Sequence, residues 1–144
     1  MKNIIVMLVV ALVLLGCKTK EDRIKEFAFA EINSFLIAPE TSEFTGVKIY
    51  EELKDVYVVC GYHSSMNRMG VRGLTERFAV SLDTKDDHYE LFTSALDSRS
   101  GNGISVVVDK DGVKNTHTNT RDDAKDMCDF AITRAKEASD KTKK

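Results

Sequence analysis

The chain is expected to form an α+β domain, with a small antiparallel sheet flanked by an N-terminal and a C-terminal helix. Two amphipathic helical patterns bracket the sequence, and several short alternating segments lie between them. The single Pro separates the first helical pattern from those segments. A length of 144 residues suits one domain and not two, and 42% hydrophobic with 31% charged residues is a globular composition.

Residues 1–16 precede that domain. Lys2 supplies a positive start, and Ile4 to Leu15 is an unbroken apolar run. As a helix the run would span roughly 18 Å, short of a ~30 Å hydrocarbon core. It therefore predicts a secretory signal rather than a permanent membrane span. The run ends in Leu14-Leu15-Gly16-Cys17, which resembles the lipobox of bacterial lipoproteins. The resemblance implies a signal peptide over 1–16 and cleavage before Cys17. The Cys17 thiol would carry diacylglycerol, its freed amino group a further acyl chain such as palmitate, and residues 17–20 would form a short tether. It also implies a cell-envelope location with the membrane as partner through the lipid anchor. With Lys18 rather than Asp following the cysteine, the resemblance points to the outer membrane, facing the periplasm, in a Gram-negative host.

A single α+β domain is read over 21–139, with a basic tail over 140–144. Glu21 to Ile37 reads as an amphipathic helix, with Ile24, Phe27, Ala28, Ile32, Phe35 and Leu36 on one face and Pro39 as its stop. Glu21 and Asp22 suit the positive end of its dipole. Ser42-Glu43-Phe44 is read as a turn that tucks Phe44 under the sheet. Strands are expected at Val47–Tyr50, Asp55–Tyr62, Thr75–Leu82, His88–Thr93 and Ile104–Val108. In the second, Val56, Val58, Cys60 and Tyr62 share a face. In the third, Phe78, Val80 and Leu82 oppose Arg77, Ala79 and Ser81. The polar stretch His63 to Gly73 suits a wide hairpin whose glycines reach φ > 0. Asp111-Gly112 predicts a hairpin into a further short strand.

A second helix, about Arg121 to Ser139, has an apolar stripe of Ala124, Met127, Cys128, Ala131, Ala135 and Ala138. Thr120 with Asp123 has capping-box spacing, and Lys136, Lys141, Lys143 and Lys144 gather at the negative end of the dipole. Without residues 1–16 the chain has 20 basic and 23 acidic side chains, a net charge of −3 with interspersed signs. That leaves no electrostatic footprint for nucleic acid.

Once Cys17 is lipidated, Cys60 and Cys128 remain, and an even pair in an exported protein predicts a disulfide tying the sheet to the last helix. The alternative is a reactive cysteine, but there is no Cys-x-x-Cys and no basic flank to lower either pKa. Cys60-x-x-His63 offers two metal ligands without a third or fourth at recognised spacing. Asp109-Lys110-Asp111-Gly112 lacks two principal carboxylates of a calcium loop. Asp83, Asp86 and Asp87 form a charged turn with Lys85. No phosphate loop, nucleophile elbow or dinucleotide fingerprint occurs. No cofactor or metal is read from the sequence.

Pro39-Glu40-Thr41-Ser42-Glu43-Phe44, then Cys60-Gly61, then Asn67-Arg68-Met69-Gly70-Val71-Arg72-Gly73 and Phe78 form one more layout. It resembles a group of small bacterial and phage proteins with the signature Pro-x-Ser-x-x-Phe, Cys-Gly, Asn-x-x-Gly-Gly-x-x-Gly. Val71 stands at the second Gly of the pair, and Tyr62-His63 stands where an acidic residue is frequent. The group carries no activity to transfer, and the resemblance implies only that 67–73 is the distinctive surface. Asn67, Arg68, Gly70 and Gly73 are therefore the candidate binding loop, with a plain hairpin as the other reading. In that hairpin the glycines would matter and the exposed side chains would not. The expected function is a lipid-anchored envelope protein that binds, possessing no identifiable catalytic constellation and taking an envelope protein as partner. Two alternatives stand: a phage or prophage lipoprotein that excludes superinfection, and a small envelope enzyme using His63 or Cys60.

Overall fold

Thr19 starts the first helix. Its side-chain oxygen accepts the Asp22 N–H at 3.1 Å, and the Asp22 carboxylate accepts the Thr19 N–H at 3.1 Å, a reciprocal cap. Hydrogen bonding to Thr19 holds the Asp22 carboxyl below the usual carboxylate range. A computed structural model describes residues 18–98, 103–119 and 122–141. The signal segment 1–16, Cys17, Thr120 and residues 142–144 of the tail lie outside the described residues.

Helix α1 spans Lys20–Asn33 and stops before the expected Ile37: the Ser34 hydroxyl donates to the Glu31 carbonyl at 2.6 Å, and the Phe35 and Leu36 N–H groups tighten to carbonyls three residues back. Phe35 and Leu36 continue as hydrogen-bonded turns and still pack on the core. Pro39–Thr41 is a single 3₁₀ turn. Strands β1 (Glu43–Leu53), β2 (Val56–Ser64), β3 (Glu76–Asp83), β4 (Glu90–Leu96), β5 (Gly103–Val108) and β6 (Lys114–Asn119) follow, and helix α2 spans Asp123–Lys141. The strands form one antiparallel sheet in sequence order, so every connection joins neighbours. The small α+β fold is as expected from the sequence.

Two strands are longer than their alternation indicates, and bulges explain both. In β1 the pairing shifts between Thr45 and Lys48, where Gly46 sits at φ +60°, so Phe44 and Val47 reach the same face. Phe44 is thus a strand residue and not part of a turn. In β4 the pairing shifts between its Leu91 and Thr93 partners, and the strand runs on to Leu96. Both interruptions break a period-2 pattern without ending the strand.

The helices cover opposite faces. Under α1, Ile24, Ala28 and Ile32 meet Val59, Phe78, Val80, Leu82, Leu91, Leu96 and Val106. Under α2, Ala124, Cys128 and Ala131 meet Val58, Cys60, Ala79 and Ala95. The faces alternate along β2 and β3 because Val59 pairs with Val80 and Cys60 with Ala79. Gly61 lies opposite Phe78, and a Cβ there would sit 2.8 Å from the Phe78 ring, so the absent side chain makes room for the largest core residue. Phe78 in turn meets Phe29 and Phe44 edge-on, at 6.3 and 5.4 Å between centroids.

The ends of the sheet differ. Lys20 reaches Asp55 and the Tyr57 hydroxyl, so the chain enters the domain beside the β1–β2 turn. The antiparallel order puts the β3–β4 and β5–β6 turns at that same end. The β2–β3 loop and the start of α2 lie at the other end.

Candidate functional site

The loop between β2 and β3, residues 65–75, is folded on itself around Asn67. The Asn67 N–H donates to the Val71 carbonyl at 2.9 Å, and the Gly70 N–H to the Asn67 carbonyl at 2.9 Å. The Asn67 side-chain oxygen accepts the Met69 and Val71 N–H groups at 2.9 and 3.1 Å. Met66 and Arg72 form a single β-bridge, and the Gly73 N–H donates to Ser65 at 2.8 Å. The loop is tied to the body by the Met66 N–H on Thr41 Oγ1 at 2.8 Å and by Arg72, which contacts Glu43 at 2.8 Å and Ser64 at 3.2 Å.

These bonds divide the four candidate loop residues. Gly70 turns the chain at φ +73°, as expected for a hairpin glycine. Gly73 does not adopt positive φ; its constraint is space, since a Cβ would lie 3.3 Å from the Ser65 carbonyl. Asn67 departs from the expectation for an exposed side chain, because its amide oxygen holds two backbone donors. Arg68 is exposed and makes no ion pair among the described residues. Around it stand Met69, Val71 and Leu74, at 85%, 58% and 64% exposure.

Beside the loop is a cleft of about 490 Å³, lined by Tyr62, Glu76, Arg77, Asp97, Asp122 and Lys125 together with Thr75 and Ser98. The Arg77 guanidinium lies over the Tyr62 ring, 5.6 Å from its centroid. Burial raises the Glu76 and Asp97 carboxyls above the usual carboxylate range. Such a pair invites an acid–base reading, but both groups are engaged. Asp97 accepts the Ala124 and Lys125 N–H groups at 2.9 and 3.2 Å and so caps α2, while Glu76 is hydrogen-bonded to Ser98. This cap comes from the residue that follows β4, 27 residues before Ala124 and beyond any local capping pattern.

The residues proposed for chemistry are committed elsewhere. Cys60 of β2 and Cys128 of α2 are joined by a disulfide, with Cα atoms 5.9 Å apart. His63 is 2% exposed, and neither ring nitrogen has a hydrogen-bond partner in the described structure. Its ring packs 5.3 Å from Phe44, and burial pushes its pKa below the ordinary histidine value. A bridged Cys60 carries no thiolate, and His63 packs against Phe44 with its ring out of solvent.

Asp83 accepts the Lys85 N–H at 2.7 Å in an ordinary charged turn. Asp109 accepts the Asp111 and Val113 N–H groups at 3.0 and 2.9 Å, which makes 109–113 the β5–β6 hairpin, with Gly112 at φ +77°. Among the described residues no three His, Cys, Asp or Glu side chains gather to hold a metal, and no helix is long and apolar enough to cross a membrane. Comparison with protein-family profiles, curated proteins and solved structures finds no match to this chain.

Proposed function

We propose that this chain is a lipid-anchored protein of the cell envelope that acts by binding, with the β2–β3 loop as its contact surface. One observation carries the reading. Asn67 holds the loop in shape, so Arg68, Met69, Val71 and Leu74 face solvent without having to fold on contact, whereas Cys60 and His63 are locked in the interior. Loop residues on a rigid scaffold are where binding function concentrates. The Cys60–Cys128 bridge supports an oxidising compartment, and the Gly16-Cys17 placement supports acylation there.

Two measurements test the two halves of this reading. A fatty-acid analogue fed to cells should label the wild type and not Cys17→Ser; a Ser variant that stays labelled removes the anchor. A photoreactive residue at position 69 should form one defined adduct in intact cells, and the same residue at position 110, on the opposite end, should not. Equal adducts from both positions would remove the loop as the contact surface.

A further inference from the structure

We propose that the cleft beside the β2–β3 loop binds a small zwitterion of amino-acid or short-peptide type, with the ligand carboxylate on Arg77 and its ammonium on Glu76 and Asp97. This site depends neither on the lipid anchor nor on the loop as contact surface. Charge is separated within the one cavity. Register places Tyr62, Arg77 and Asp97 side by side across β2, β3 and the end of β4. Arg77 nevertheless forms no ion pair with a described carboxylate, and Asp97 and Asp129 act on it only through space. Its guanidinium turns to Tyr62 instead, lying over the ring and donating to the hydroxyl at 3.5 Å. Lys125, the other cation of the cleft, is paired with Asp129 at 3.1 Å.

The carboxylates of the cleft lack a cation in turn. Burial raises Glu76 and Asp97, as expected for negative charge held out of water with no counter-charge against it. Both keep acceptor capacity. Asp97 gives one bond per oxygen to the α2 cap and Glu76 one contact to Ser98, whereas a carboxylate offers about four lone-pair sites. A ligand carrying both charges matches this arrangement. A plain anion would face Glu76, Asp97 and Asp122, and a plain cation would face Arg77. At about 490 Å³ the cavity is of small-ligand size. A second hollow of about 190 Å³ continues past Tyr62 and Arg77, which line both, to Tyr50 and Ile132 between β1 and α2. It gives a second residue a place, so a dipeptide should bind more tightly than a single amino acid.

The full chain, oxidised and held in detergent micelles, is titrated with alanine, dialanine and trialanine while its backbone amide resonances are followed by NMR. The expected result is a saturable shift at Tyr62, Arg77, Asp97 and Lys125, with dialanine tighter than alanine. Blocking either end of dialanine, by N-acetylation or C-amidation, should weaken binding about tenfold or more. Arg77→Gln should do the same for unblocked dialanine, and Glu76→Gln should weaken it several-fold with the α2 amides unmoved. Should Arg77→Gln disturb the whole sheet, Glu76→Gln and the blocked peptides decide alone. Alanine bound more tightly than dialanine would keep the zwitterion and make its source the free amino acid. N-acetyl-dialanine bound as tightly as dialanine would make the cleft an anion site and overturn the zwitterion. No saturable shift at these amides with any of the three probes, or dialanine binding unchanged in both variants, would remove the site.

Discussion

The two faces of the sheet are held to their helices by different means. Under α1 the buried side chains are large: Ile24 and Ile32 on the helix, Phe78, Leu82, Leu91 and Leu96 on the strands. Each such side chain contributes about 1.5–3 kcal/mol when taken from water. Under α2 the lining is Ala79, Ala95, Ala124 and Ala131, with Val58 and the two cysteines. Alanine offers roughly one methyl group, so this interface buries little apolar area for a helix of 19 residues. The disulfide stands within this layer of small side chains, with Tyr50 and Met127 packed at its margin. By the chain-entropy argument a bridge across 68 residues of sequence constrains the unfolded chain by about 4 kcal/mol. The α1 layer contains no disulfide, whereas the α2 layer, with the cleft that Asp97 and Lys125 help line, is cross-linked by one.

The comparison breaks most severely through the α1 face. Phe78→Ala should cost about 3–5 kcal/mol in denaturant unfolding, because Phe29, Phe44 and Gly61 are all fitted to that ring. The double variant Cys60→Ala/Cys128→Ala should cost about 2–5 kcal/mol, with the loss concentrated in α2. Gly61→Ala should cost about 1–3 kcal/mol by overpacking against Phe78, and Phe78→Leu should relieve part of it. Loop substitutions should be milder and touch neither face. Asn67→Ala leaves two N–H groups without their acceptor, and Gly70→Val forces a branched side chain into φ +73°, so each should cost ~1–2 kcal/mol. Arg68→Ala should stay within about 0.5 kcal/mol.

A pH series sharpens the same contrast, because His63 sits on the α1 face. Its folded pKa lies below the ordinary 6.5, so the unfolded chain binds the proton more readily. The stability from a neutral His63 is therefore fully present above about pH 6.5 and is lost as pH falls through and below that value. Glu76 and Asp97 are shifted upward and work in the opposite direction. The readout is thus the difference between wild type and His63→Leu. The melting temperature of the wild type should fall relative to the variant as pH drops from 7 to 5, and parallel curves would contradict the buried neutral imidazole.

The helices and strand cores were legible in the sequence because their burial is periodic. Phe78, Val80 and Leu82 on one face of β3 and Ala28 on the buried face of α1 follow from spacing alone. What spacing could not show was set by distant partners. Bulges at Gly46 and beside Phe92 rephase strands that a strict alternation ends early. Glu31, on the buried side of α1, looks misplaced until Ser94 at 3.2 Å and Lys114 at 2.7 Å satisfy its carboxylate from β4 and β6. Asp97 reads as a loop residue until α2 returns to it. In the candidate loop, Asn67 had a local signal, a side chain two residues before an N–H it accepts, and that Asx pattern could have separated it from Arg68.

The dependence of the α2 layer on its bridge is the central claim, and backbone hydrogen exchange with and without reductant tests it most directly. With Cys60–Cys128 intact, amides of both helices should be protected. After reduction, protection across α2 should fall by orders of magnitude while α1 and the centres of β2 to β4 change little. Uniform loss across the domain, or an α2 as protected reduced as oxidised, would contradict the account.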